Sequence, residues 1–284
     1  MKKFIKGNRF TPHTYSDEVE ARIQRLKKEG VRLPDRHLLR TDEQIEGIRA
    51  SARVNTALLD YISENIREGM STAEIDHMVY AFTTDHDAIP APFGFEGFPK
   101  SVCVSINDVV CHGIPSTKEF LQNGDIVNVD VSTIYKGYFS DASRMYLIGE
   151  VSPDIRRLVE VTRECRDLGI RAAQPWTHLG DIGAVIQEHA ESNGYSVVRD
   201  LCGHGCGLKF HEQPDVEHFG KRGKGMMIVP GMTFTIEPMI NMGTYRVFVD
   251  SEDGWTVCTD DGLPSAQWES QILITETGNE ILTQ

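Results

Sequence analysis

None of the six cysteines (Cys103, Cys111, Cys165, Cys202, Cys206, Cys258) pairs with another as Cys-x-x-Cys. The chain is neither short nor cysteine-dense, so a disulfide framework is not expected and reduced thiols in the cytoplasm are the simpler account. No apolar run reaches the length of a membrane-spanning helix. The basic start MKKFIKGNRF lacks the apolar stretch that would make it a secretory signal. Low-complexity segments are missing, and no residue-level repeat relates the two halves. Positive charge is also short, with 29 Lys/Arg against 42 Asp/Glu for a net charge of −13. The shortage is uneven: residues 1–40 carry eleven Lys/Arg and five Asp/Glu, or +6, leaving −19 for residues 41–284. The body should therefore repel nucleic acid, and no specific DNA binding is expected. The leader reads as a solvated, partly helical tail, or as a segment that touches an acidic surface such as ribosomal RNA.

What is present is enough apolar residue, 40% of the chain, for an ordinary core. Val19, Ile23 and Leu26 stand at helical spacing within 16–29, ahead of Gly30. Pro34 and the run Arg36 to Arg40 read as a linker, which makes 1–40 a basic extension and 41–284 the main domain. Thr41 with Gln44, and Ser71 with Glu74, are capping boxes that open two helices. Two more helices are expected, from Ser152-Pro153 to about Gln174 and from Asp181 to Asn193-Gly194. Strands are expected over Val102–Ile106, Ile126–Ser132, Phe139–Ile148, Met232–Ile240, Tyr245–Val249, Trp255–Thr259 and Gln267–Thr275. Helices, strands, helices, strands is the order of an α+β fold with antiparallel sheet in two similar halves.

Asp130 in DIVNVDVS and Asp141 in SDASRMY lie inside strands, where Asp is disfavoured. A turn centred on the Tyr135–Lys136 bond would set them directly opposite each other on one face, about 5 Å apart at Cβ. Two solvated acids, or a partnership with Arg144, are the plain alternatives; a cation between them is the sharper one. His204 lies between glycines in CGHGCG, Glu237 ends an apolar strand before Pro238, and Glu269 opens another. Four carboxylates and one His suit Mn, Fe, Co or Zn. They exceed the three protein ligands of one catalytic zinc. Two ions about 3.5–4 Å apart would use them all.

The strings FPKSVCVSINDVVCHGIP, DIVNVDVS, SDASRMY, GHGCG, HEQP, TIEPMI, DGWTV and AQWES together resemble the type I methionine aminopeptidases over residues 41–284. The resemblance implies the pita-bread fold, with two pseudo-symmetric halves, outer helices and metals in a cleft of curved antiparallel sheet. It implies two divalent ions (Co, Mn, Fe or Zn). Asp130 would hold one, His204 and Glu237 mainly the other, and Asp141 and Glu269 would bridge them. The implied reaction is hydroxide attack on the carbonyl after an N-terminal Met, with Glu237 as proton shuttle and small second residues favoured. The implied substrates are Met-initiated peptides and nascent chains, which is what would give ribosome contact through the basic leader its use.

His112 in VCHGIP and His211 in KFHEQP match the family's two non-ligand histidines, expected at the scissile amide and the oxyanion. Phe95, Phe98, Cys103, Phe210 and Trp255 match the slot for the Met side chain, where aromatic faces and sulfur suit a thioether. The chain departs from its relatives in having Phe95 and Phe98 where tyrosines are frequent, and Pro92 where a cysteine is frequent. Its leader is longer than in minimal bacterial enzymes and lacks the Cys/His clusters of zinc-binding extensions. An Xaa-Pro aminopeptidase or prolidase is the nearest rival, but those usually carry a sizeable extra N-terminal domain. A non-catalytic binding protein on the same fold is the other, though intact ligand positions argue against it.

Overall fold

The computed structural model describes residues 16–284; the first fifteen residues of the leader lie outside the described range. Both capping boxes form. Thr41 opens α2 (Asp42–Asn65) and Ser71 opens α3 (Thr72–Asp85), each with the side chain accepting from the backbone N–H three residues on. Ser16 caps α1 (Asp17–Lys28), Ser152-Pro153 starts α4 (Pro153–Ala172), and α5 spans Leu179–Ser192. These helices pack as two pairs. α2 and α3 bury Leu58, Ile62, Ile75 and Val79 against Val104, Val127 and Val129, while α4 and α5 bury Leu158, Ile182 and Ile186 against Phe234, Ile236 and Ile272. Each half thus has its own core.

The leader joins the second core. Val19 and Ile23 of α1 and Leu39 belong to the same buried cluster as α4 and α5. The basic run expected as a linker carries a 3-10 turn over Arg36–Leu38 and buries Leu38, Leu39 and Arg40. Its paired leucines, passed over among the charges, supply the apolar contact.

Every strand pair among the described residues is antiparallel. The central hairpin pairs Ile126–Tyr135 with Tyr138–Leu147, and its register corrects the one expected from sequence. Tyr135 pairs with Tyr138 across a two-residue turn in which Lys136 and Gly137 both have positive φ (51° and 87°), the type I′ pattern. The turn centre therefore sits one residue later than expected. Asp130 faces Ser143 and Asp141 faces Ser132, so the two acids are diagonal neighbours on one face rather than direct opposites. Arg144 is not their partner: it pairs with Asp60 at 2.8 Å and with the carbonyl of Gln284.

Two strands expected to be continuous are each broken. Thr233–Ile236 and Met239–Asn241 are separated by Glu237-Pro238, because Pro has no N–H to give to the ladder. Ser265–Gln267 and Ser270–Ile274 are separated by Trp268-Glu269. The broken strands run side by side in one register, with Met239 opposite Gln267 and Ile236 opposite Ser270. That register sets Glu237 and Glu269 opposite each other in the shared gap.

Candidate metal centre and cleft

A cleft of about 670 Å³ lies where the hairpin meets the paired gap. All twelve residues singled out from sequence line it: Phe95, Phe98, Cys103, His112, Asp130, Asp141, His204, Phe210, His211, Glu237, Trp255 and Glu269. Its floor is the five candidate ligands. Asp141, His204 and Glu269 each offer an atom within 4.8 Å of the others. His204 Nε2 lies 3.6 Å from Asp141 Oδ2 and 3.5 Å from Glu237 Oε1.

The GHG string does what its glycines allow. A Cβ on Gly203 would stand 2.6 Å from the Thr235 carbonyl oxygen, and one on Gly205 2.1 Å from that of Gln213. Only glycine lets those backbones close on His204 from both sides. His204 Nδ1 donates to the Gly205 carbonyl at 3.1 Å. The ring is neutral, since burial, then His211, pushes it down to about 3. Its Nε2 lone pair therefore faces carboxylate oxygens, an arrangement that needs a proton or a metal ion between them.

The acids make the same case. Burial raises Asp130 to about 7 and Glu237 to about 8. Burial, then repulsion from Asp130, raises Asp141 well above the usual carboxylate range, and burial, then repulsion from Asp141, does the same to Glu269. Asp130 Oδ1 is buried with no hydrogen-bond partner, and among the described residues no Lys or Arg lines the cleft. Crowded, buried, uncompensated carboxylates beside a histidine lone pair fit a divalent cation.

Three supports escaped the sequence reading. Ser132 Oγ donates to Asp141 Oδ1 at 2.7 Å, Thr235 Oγ1 to Glu237 Oε1 at 2.6 Å, and Gln267 Nε2 to Glu237 Oε2 at 3.2 Å. Ser132, Thr235 and Gln267 each stand two residues from a ligand on the same strand or strand line, so period-two spacing was the signal that could have found them. Buried His218 accepts from the Glu237 N–H at 3.1 Å, taking the donor that the broken ladder left free. Its signal is absent locally, because nothing in the sequence brings 218 to 237.

Above the floor, aromatic rings form the walls. Phe95 meets Phe210 edge-on at 4.9 Å, Phe98 meets Trp255 edge-on at 5.2 Å, and the His211 ring lies 4.2 Å from both Phe210 and His204. His112 holds a left-handed backbone (φ 58°), the kind of strain that persists only where the surroundings impose it. Burial lowers its ring below the usual histidine value, and lowers His211 to about 4, so both are neutral at pH 7 with one N–H to give.

Residues 46–276 match the metallopeptidase family M24. The chain is 51% identical over 240 residues to methionine aminopeptidase A of Synechocystis sp., covering 84% of this chain and 94% of that one. The crystal structure of methionine aminopeptidase from Rickettsia prowazekii superposes with a TM-score of 0.85 at 44% identity, covering 87% of this chain and 99% of the other. Prolidase from Pyrococcus furiosus superposes at 0.68 over 87% of this chain and 65% of its own, but at 23% identity it shares the fold alone. Fold, acid-rich cleft and relatives agree: the chain is a pita-bread metal-dependent hydrolase of the metallopeptidase family M24, in its methionine aminopeptidase branch.

Proposed function

We propose that the protein removes the N-terminal methionine from nascent chains whose second residue is small. The observation that carries this reading is one cleft with a floor of buried carboxylates and walls of paired aromatics. Asp130, Asp141, His204, Glu237 and Glu269 would hold two divalent cations, of manganese, iron, cobalt or zinc. When bound, such ions polarise a scissile carbonyl and make water acidic enough to attack it near neutral pH. Glu237 takes a proton from the attacking water and delivers it to the leaving amine. Thr235 and Gln267 aim its carboxylate. His112 and His211, neutral donors, hydrogen-bond the scissile amide and the developing oxyanion. Phe95, Phe98, Cys103, Phe210 and Trp255 take the Met side chain. With phenylalanines at 95 and 98 the slot has no phenolic donor at these positions, which suits a thioether.

The site of action on this reading is the cytoplasm, with the basic leader as the part that meets the ribosome. The domain reading goes with it, residues 41–284 carrying catalysis. Among the described residues no helix is long and apolar enough to cross a membrane.

The test is Met release from a Met-Ala-Ser peptide beside Met-Lys and Ala-Pro peptides, by protein stripped with chelator and resupplied with Mn, Co, Fe or Zn. Metal-dependent release from Met-Ala-Ser alone is expected. Cleavage of only the Ala-Pro peptide would move the protein to the Xaa-Pro branch. No cleavage with any metal would leave the non-catalytic reading.

A further inference from the structure

Arg40 has no solvent exposure, although it ends the most basic stretch near the start of the chain. Beside a long bond from Nη1 to the His37 carbonyl at 3.5 Å, its guanidinium works in two directions. Nε donates to Thr233 Oγ1 at 2.9 Å, and that hydroxyl donates to the Cys206 carbonyl at 2.6 Å. Nη2 pairs with the Glu212 carboxylate, whose Oε1 also accepts from the Leu208 N–H at 3.2 Å. The Arg40 N–H itself donates to the Gly231 carbonyl at 2.9 Å. One side chain therefore reaches segment 206–212 at its first residue through Thr233, and at 208 and 212 through the carboxylate.

That segment carries Phe210 and His211 into the cleft wall. Its ends are held, Cys206 by Thr233 and Gln271 and Glu212 by pairing with Gly205. Between them Gly207 donates to the Lys209 carbonyl at 3.2 Å and its own carbonyl accepts from Phe139 at 2.9 Å, which leaves 208–211 few backbone bonds. A buried ion pair is a poor source of net stability, because desolvating both charges offsets most of their attraction. What a planar, forked guanidinium does supply is direction, two bonds at fixed angles to two different partners. An ammonium at this position keeps the charge and loses one arm.

We infer that Arg40 is a positioning residue for substrate, its bonds to Thr233 and Glu212 fixing segment 206–212 so that Phe210 and His211 hold their places in the cleft wall. The inference rests on the proposal that these two side chains contact the peptide.

The experiment compares the full-length, metal-loaded parent with Arg40→Lys, Glu212→Gln and the double variant. KM for Met-Ala-Ser should rise about tenfold or more in each single variant, a misplacement effect, and the preference for Met over Leu at the first residue should fall. Amide hydrogen exchange over 207–212 should quicken about tenfold, while the strand Ser270–Ile274 keeps the parent's rate. The double variant should be no worse than the poorer single one, because both break the same link. A purely structural role would instead scale the turnover of all peptides equally, leaving KM and the Met/Leu ratio alone. Unchanged KM, unchanged selectivity and unchanged exchange would overturn the inference. If Arg40→Lys fails to fold, the near-isosteric Glu212→Gln gives the same three readouts. Should the parent cleave no peptide, the proposed function fails, and the exchange rates alone decide the role of Arg40.

Discussion

Two of the four buried acids at the cleft floor lean on neighbouring polar side chains, Asp141 on Ser132 across the ladder and Glu237 on Thr235 and Gln267. Glu237 is the instructive one, with Thr235 and Gln267 on its two oxygens and His218 on its N–H. Replacing it by Gln keeps the shape and removes a charge that burial disfavours. Glu237→Gln should lower kcat by about 10²- to 10⁴-fold, the usual worth of a general base. The same variant, in chelator at pH 8.5, should melt higher than the parent, because the remaining carboxylates repel less. Full activity with the variant would remove Glu237 from the proton path. At this scale the sequence was most legible: the disfavoured strand aspartates, the glycine-flanked histidine and the strand-end glutamates all stood out by being in the wrong company. Arg40 and His218 did not, because each is ordinary among its neighbours and acquires its role only through a partner far along the chain.

The central hairpin turns on Lys136 and Gly137, both left-handed. A Cβ on Gly137 would meet nothing within 4 Å, so Gly137→Ala tests the backbone alone. It should cost about 1–2 kcal/mol, the penalty for forcing an L-residue into that region, measured by chemical denaturation with an unchanged m-value. A neutral result would mean that the turn relaxes to another type, and with it the pairing of Asp130 and Asp141. The helices were legible because capping boxes and the 3.6-residue period are local signals. The hairpin register was not, since Tyr-Lys-Gly names a turn without saying where its centre falls, and a one-residue change in centre shifts each partner by two. The strand breaks at Glu237 and Trp268-Glu269 were legible only in part. Pro238 forbids a continuous ladder on its own strand, whereas the matching break opposite it is fixed by register alone. The short strands Gly203–Gly205 and Glu212–Val216 lack any period to read, because glycines and a bulge interrupt them.

For the molecule as a whole, the cleft makes stability depend on pH in a defined direction. A carboxyl held above its ordinary value keeps, in the folded state, a proton that the unfolded chain has released, so its contribution falls as pH rises through the folded value. Asp130 at about 7 and Glu237 at about 8 belong here, with Asp141 and Glu269 raised as well. Histidines held low do the reverse, their contribution growing with pH up to about 6.5; His204 and His218 at about 3, and His211 at about 4, are of this kind. The two sets oppose each other between about pH 4.5 and 6.5, and only the carboxyls remain above that. In chelator the melting temperature should fall from pH 6.5 to 8, and added Mn or Co should restore it most at pH 8. A level or rising melting temperature over that window would contradict the crowding of the four acids.

The five candidate ligands come from three strands and two strand breaks, in the chain order Asp130, Asp141, His204, Glu237, Glu269. The hairpin can close on its own residues soon after they are made, but its two acids then face a half-built floor. Glu269 comes last, and the gap opposite Glu237 has no partner until the ribosome has passed it. Timing is therefore built into the topology: the four-acid floor cannot assemble, and the cation site it would form cannot fill, until residue 269 has been made.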